Sequence, residues 1–222
     1  MRTKLRDRAM PVYTRGEELF NMVSHIVGGA IGVAALVLCI IVSAVHHNGY
    51  GLAGSIVYGL SMIVLYTMSS VYHGLGDGMA KRVMQVLDHC TIYLLIAGTY
   101  TPILLSAMRP LDSVASWVLL GVVWGLAAVA ITLTAIDLKR FAVFSMACYI
   151  GMGWCIVVKL PLLIRAVGWG GFWLILLGGV CYTVGAVLYG MGRTKKYMHS
   201  VFHLFVVAGS VLHLLAILLF VL

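Results

Sequence analysis

The chain has 222 residues, 62% of them hydrophobic and only 10% charged, and carries a formal charge of +8. A soluble domain averages about 25% charged residues, so there is too little polar surface here to cover a water-soluble globule; the composition predicts a polytopic membrane protein. The positive charge does not imply a nucleic-acid partner, because most basic residues fall in short segments between apolar runs instead of clustering on one solvated face.

In chain order, residues 1–16 read as a basic polar tail on the cytoplasmic side, and residues 17–222 as one membrane domain. The first apolar run is about 25 residues long, against ~7–15 for a signal-peptide core, and lacks a small-x-small cleavage site, so it is expected to be a retained helix. Seven apolar runs follow one another, at residues 20–45, 51–72, 83–105, 114–136, 141–164, 171–190 and 199–221. Each is close to the ~20 residues that cross ~30 Å of hydrocarbon as a helix. The period-2 alternation of a membrane barrel is absent. The expected fold is all-α, a bundle of seven transmembrane helices.

Pro102 and Pro161 fall inside the third and fifth runs and are expected to kink them. Gly28/Gly32 and Gly121/Gly125 form two GxxxG pairs, which favour close helix approach. Cys39, Cys90, Cys148, Cys155 and Cys181 are odd in number, have no paired spacing and read as buried thiols. Lysine and arginine set the orientation. Arg2, Lys4, Arg6, Arg8, Arg15, Lys81, Arg82, Lys139, Arg140, Arg193, Lys195 and Lys196 fall on one side, and Arg109, Lys159 and Arg165 on the other. The N-terminus is therefore expected to be cytoplasmic and the C-terminus outside.

Ionisable groups just inside the apolar runs are expensive there and mark functional sites. The seventh run opens with His199-x-x-x-His203, two imidazoles on one helical face ~6 Å apart. The second ends with Ser69-x-x-x-His73, again one face, and the third carries Asp88. At a ~1.5 Å rise per residue, His199 and His203 lie ~5–10 Å inward of Lys196, Asp88 lies ~9 Å inward of Arg82, and His73 sits at a comparable level. Satisfied interhelical hydrogen bonds would explain any one of these groups. Three imidazoles and a carboxylate at one depth point instead to a metal site, with His73, His199 and His203 as ligands and a fourth position open. Neutral imidazole suits Zn²⁺. Asp88 is expected to orient the nucleophile or act as general base, and Ser69 to hydrogen-bond the water or the substrate oxyanion. A site facing a helix bundle implies a lipid-like substrate. Glu18, Asn21 and His25 share one stripe of the first helix and read as a supporting polar network, although Glu17 and Glu18 also suit the positive end of the helix dipole. His89 is expected to be a packing hydrogen bonder, His213 to lie too far from His203 to share its metal, and His46 and His47 to be solvated.

Glu18-x-x-Asn21-x-x-x-His25, Ser69-x-x-x-His73, the run DHCTIYLLIAGTYTP at 88–102, and His199-x-x-x-His203 together resemble the bacterial haemolysin III family, within the progestin and adipoQ receptor group of seven-helix membrane proteins. The resemblance covers nearly the whole chain, in order and spacing. It implies a cytoplasmic N-terminus and a location in the bacterial inner membrane. It also implies a zinc ion near the cytoplasmic face on His73, His199 and His203, a water-holding Asp88 and an associated Ser69. The wider superfamily includes alkaline ceramidases, and bacterial members are named for a haemolytic phenotype and connected with lipid homeostasis. Three functions follow: a zinc-dependent hydrolase of a lipid amide or ester, a membrane-permeabilising protein, or a zinc-containing sensor without turnover. The oligomeric state is left open.

Overall fold

The computed structural model describes residues 5–192 and 194–222, so Arg2, Lys4 and Arg193 of the charge pattern lie outside the described residues. The helices are α1 (Arg15–Val45), α2 (Gly49–Gly74), α3 (Met79–Pro102), α4 (Ser113–Ile136), α5 (Ala142–Trp154), α6 (Leu160–Met191) and α7 (Met198–Phe220), and no strand occurs among the described residues. Six helical stretches among them are long and apolar enough to cross a membrane, with Ala142–Met191 counted as one stretch of 50 residues. The protein is a multi-pass membrane protein.

α1 shows how the sequence sorts its faces. Thr14 starts it with a capping box: Glu17 N–H donates to Thr14 Oγ1, and Thr14 N–H donates to Glu17 Oε2. Asn21, His25, Gly28, Gly32, Ala35, Cys39 and Ser43 are buried, whereas Val23, Ile26, Val27, Val33, Val37 and Ile41 are exposed. Small and polar residues therefore face the bundle and large aliphatic ones face lipid, the arrangement in which helices gain from close packing in a solvent as apolar as leucine.

The first GxxxG pair does what its spacing suggests. Gly28 lies under the Tyr66 ring and Gly32 against Ile63, bringing α1 and α2 together. Gly121 and Gly125 are exposed with no neighbour within 4 Å, so this second pair makes no helix contact. At Gly59 the backbones of α1 and α2 come close, and an added Cβ would stand 2.7 Å from Leu36 Cα. Gly59→Ala is expected to cost about 1–3 kcal/mol through overpacking, read as a lower melting temperature in detergent, with Gly121→Ala unchanged as the control.

Pro102 lies within the third apolar helical stretch, Met79–Met108, as its place in the sequence predicts, whereas Pro161 sits differently from expectation. Pro102 is the last residue of α3, followed by a π-helical turn over Ile103–Met108. Pro161 lies in the first turn of α6, not inside the fifth helix, because the chain has already left α5 through a 3₁₀ turn at Cys155–Lys159. A proline in a first turn forfeits no hydrogen bond, since that N–H has no helical acceptor. The loop expected between residues 164 and 171 is helical except at Gly168, whose φ of 65° breaks the helix in a region open to glycine at little cost.

Two sets of contacts mark the ends of the bundle. At one end, Arg8 Nη2 donates to Ile136 O at the foot of α4, Arg82 Nη1 donates to Arg8 O, and Tyr197 N–H donates to Glu17 Oε1. At the other, Asn48 Nδ2 donates to Ser106 Oγ, which donates to Val221 O, and Lys159 stands 4.0 Å from Asp112.

Candidate metal centre

Near the first of these ends, His73 from α2 and His199 and His203 from α7 converge. Each is buried, and their ligand nitrogens all lie within 4.8 Å of one another. His199 and His203 are one helical turn apart, and their Nε2 atoms face each other at 3.1 Å. His73 is fixed from behind: Nδ1 is 2.5 Å from Glu18 Oε2, and Glu18 Oε1 accepts from Lys81 Nζ at 2.6 Å. A neutral His73 that donates through Nδ1 must present a bare lone pair on Nε2, and that atom is buried with no partner. A carboxylate behind an imidazole is the usual means of holding a ligating histidine in the right tautomer. The donor set therefore fits a cation. An orphaned buried nitrogen is otherwise costly, and a tetrahedral ion holds imidazole nitrogens ~3.3–3.4 Å apart, close to the spacing of the α7 pair.

The other expected residues are distributed around this cluster. Ser69 and Asp88 line the same cavity as His199 and His203. Asp88 stands outside the group of three, with Oδ2 3.7 Å from His89 Nδ1. Asn21 approaches His73 Nδ1 to 3.5 Å. His25 stacks on His203 at a centroid distance of 3.8 Å, with neither ring nitrogen partnered. Of the two glutamates, Glu17 caps α1 and binds the Tyr197 amide, while Glu18 serves the histidine. His89 donates from Nδ1 to Gln85 O and accepts from Tyr189 OH, as a packing residue should. His46 and His47 are exposed.

Two participants were not singled out from sequence. Lys81 reads as a topology anchor, yet its side chain is 7% exposed and it is the counter-charge of Glu18. Its helical stripe carries the only available hint, seven residues before Asp88. Tyr13 has no local signature at all. Its ring stacks on His199 at 4.9 Å and 22°, roofing the cluster, and lies 5.8 Å from His73. Burial first, then the neighbouring Tyr189, Glu18, Asp88 and Glu17, push its phenol well above the usual range, so the roof stays neutral.

Below the cluster runs a cavity of about 900 Å³, walled by Leu65, Ile96, Phe172, Ile175 and Leu176 among others and reaching His213.

The haemolysin-III related family model matches residues 13–214, a stretch that holds every residue of the cluster together with Tyr13 and Glu18. The chain belongs to that family. It is 37% identical over 207 residues to "Hemolysin-3" of Bacillus cereus, covering 93% of this chain and 92% of that protein. It is 34% identical over 199 residues to "Hemolysin-3 homolog" of Bacillus subtilis (strain 168), covering 90% and 92%. A more distant likeness, 25% over 169 residues and covering 72% and 67%, is to "Monocyte to macrophage differentiation factor" of Homo sapiens. This member of the haemolysin-III related family thus has a buried three-histidine cluster that can hold a metal ion, opening onto an apolar cavity.

Proposed function

We propose that the protein is a zinc-dependent hydrolase of a lipid amide or ester, resident in a bacterial cytoplasmic membrane and acting in lipid homeostasis. The observation that carries this reading is the orphaned, buried His73 Nε2 facing His199 and His203 at the head of an apolar cavity. His73, His199 and His203 are the ligands. When bound, the cation polarises a carbonyl and makes water acidic enough to attack near neutral pH. Asp88 takes the proton from the attacking water and returns it to the leaving group. Ser69 hydrogen-bonds the developing oxyanion. Tyr13 and the aliphatic walls exclude bulk water, and the cavity holds the hydrocarbon chain.

In this reading there are seven crossings, with the N-terminus cytoplasmic and the C-terminus outside, and residues 17–222 form a single domain behind the basic tail. The 50 residues of Ala142–Met191 would extend ~75 Å as one helix, far more than one ~30 Å crossing. Lys159, about a third of the way along them, pairs with Asp112 at the end opposite to Arg8, Glu17 and Tyr197, which supports an outward and a return crossing. No nucleic acid is among the partners.

The test is lipidomics of cells carrying the active or the His73→Ala chain, with metal analysis of the purified protein. One zinc per chain and a lipid class that accumulates only in the variant are expected. A zinc-free wild-type protein, or identical lipid profiles, would sink the proposal. The names of the two Bacillus relatives favour a second reading, membrane permeabilisation. Leakage from liposomes that survives loss of all three histidines would select it.

A further inference from the structure

A divalent ion bound for His73, His199 and His203 needs a polar route, because stripping its water inside a hydrocarbon-walled chamber is prohibitive. The large cavity is walled by Leu65, Ile96, Phe172 and Ile175, and where it meets the turn between α4 and α5 it is lined by Arg8 and Lys139, two cations that oppose a third. Beside it lies a smaller chamber of about 230 Å³, lined by Glu18, Asp77, Lys81 and Arg82. The charges of this chamber balance, and Glu18 is the carboxylate that reaches His73 Nδ1. Met10, Pro11, Val12 and Tyr13 are walls of both chambers. A single irregular stretch of chain therefore separates the histidine cluster from this polar space.

The strap is fastened near its two ends. At one, Arg8 is 5% exposed and donates from Nη2 to Ile136 O at 3.1 Å, and its own carbonyl accepts from Arg82 Nη1. At the other, Thr14 begins α1 with its capping box, and the Tyr13 ring beside it stacks on His199 at 4.9 Å and 22°. Between these fastenings, residues 9–13 make no backbone hydrogen bond among the described residues, and Ala9, Pro11 and Val12 are exposed. A segment without backbone hydrogen bonds opens at low cost.

We propose that residues 8–13 are a gate for a divalent metal ion, which enters and leaves the three-histidine centre through the smaller chamber when the strap lifts, with Arg8 as the latch and Tyr13 as the plug. This rests on the metal centre of the reading above and adds how that centre is loaded. A partition that swings aside changes how fast metal passes in both directions and leaves the balance between bound and free metal alone, whereas a side chain that shores up the site changes that balance.

Zinc release into excess chelator, and zinc uptake by the chelator-treated protein, both timed on the full chain in lipid nanodiscs, test the gate without turnover. Tyr13→Ala and Arg8→Gln should each speed release and uptake about tenfold, within what one aromatic stack or one charge-assisted hydrogen bond contributes. The zinc dissociation constant should stay within about twofold of the wild type. Tyr13→Phe keeps the ring and should keep the wild-type rates. Pro11→Gly, at an exposed position outside every helix, should speed both rates about two- to fivefold by freeing the strap backbone, a comparison that puts no buried group at risk. Unchanged rates in Tyr13→Ala and Pro11→Gly, or faster release with unchanged uptake and weaker binding, would overturn the gate and leave the metal centre standing. A wild-type chain that takes up no zinc would sink the metal centre and the gate together.

Discussion

A His203→Ala chain is expected to purify with less than a tenth of the wild-type zinc, and its thermal melt should no longer respond to a chelator. His203 is 1% exposed and is held between His25, at 3.8 Å between centroids, and His199, at 4.8 Å. Alanine there removes one of the three imidazoles of the cluster, and among the described residues no other imidazole nitrogen belongs to the group within 4.8 Å. Metal bound only by the folded chain stabilises it by mass action, by about 4 kcal/mol when free metal is 1,000 times its dissociation constant. The wild-type melt should therefore fall several degrees when a chelator is added, and the variant should start at the lower value. Two results would contradict the site: a wild-type melt indifferent to the chelator, or a variant that retains its full complement of zinc.

Glu18→Ala should produce two separable losses. The first is stability. Lys81 Nζ is held by Glu18 at 2.6 Å and by Leu75 O at 3.0 Å in a nearly buried position, so removing the carboxylate strands an ammonium and should cost about 3–5 kcal/mol. The second is metal affinity. Without an acceptor for Nδ1–H, the His73 ring loses its fixed tautomer and orientation, a loss typically worth 10–100-fold in affinity. The double variant Glu18→Ala/Lys81→Met distinguishes them. It should recover most of the stability, since the unpaired charge is gone, while the zinc dissociation constant stays raised. Full recovery of both in the double variant would reduce Glu18 to a partner of Lys81 with no part in holding the histidine.

The histidine cluster was legible because each half of it is local. His199 and His203, and Ser69 and His73, are pairs four residues apart, and helical periodicity alone puts such pairs on one face. Depth could be counted from the basic residues at the ends of the runs. The Glu18–His73–Lys81 connection was only half legible. The stripe Glu18, Asn21, His25 marked a polar face, but which residue that face meets depends on how α1 and α2 are rotated against each other, and that is decided by the seam at Gly28, Gly32 and Gly59. Tyr13 was not legible at all: a tyrosine in a polar segment has no periodicity, and its seat over His199 exists only once Arg8 is tied to α4 and to Arg82. The second GxxxG pair shows the converse error, a motif with the right spacing on a face that meets no helix.

Composition and the 3.6-residue repeat were enough to establish a membrane-embedded, helical chain and to nominate three imidazoles as a group, since solvent preference and helix geometry act over a few neighbouring residues. Assigning a carboxylate to His73 and a roof to His199 required the folded chain. Those pairings join residues 55 and 186 positions apart. They are fixed by the depth and rotation at which whole helices pack, and no local pattern encodes either.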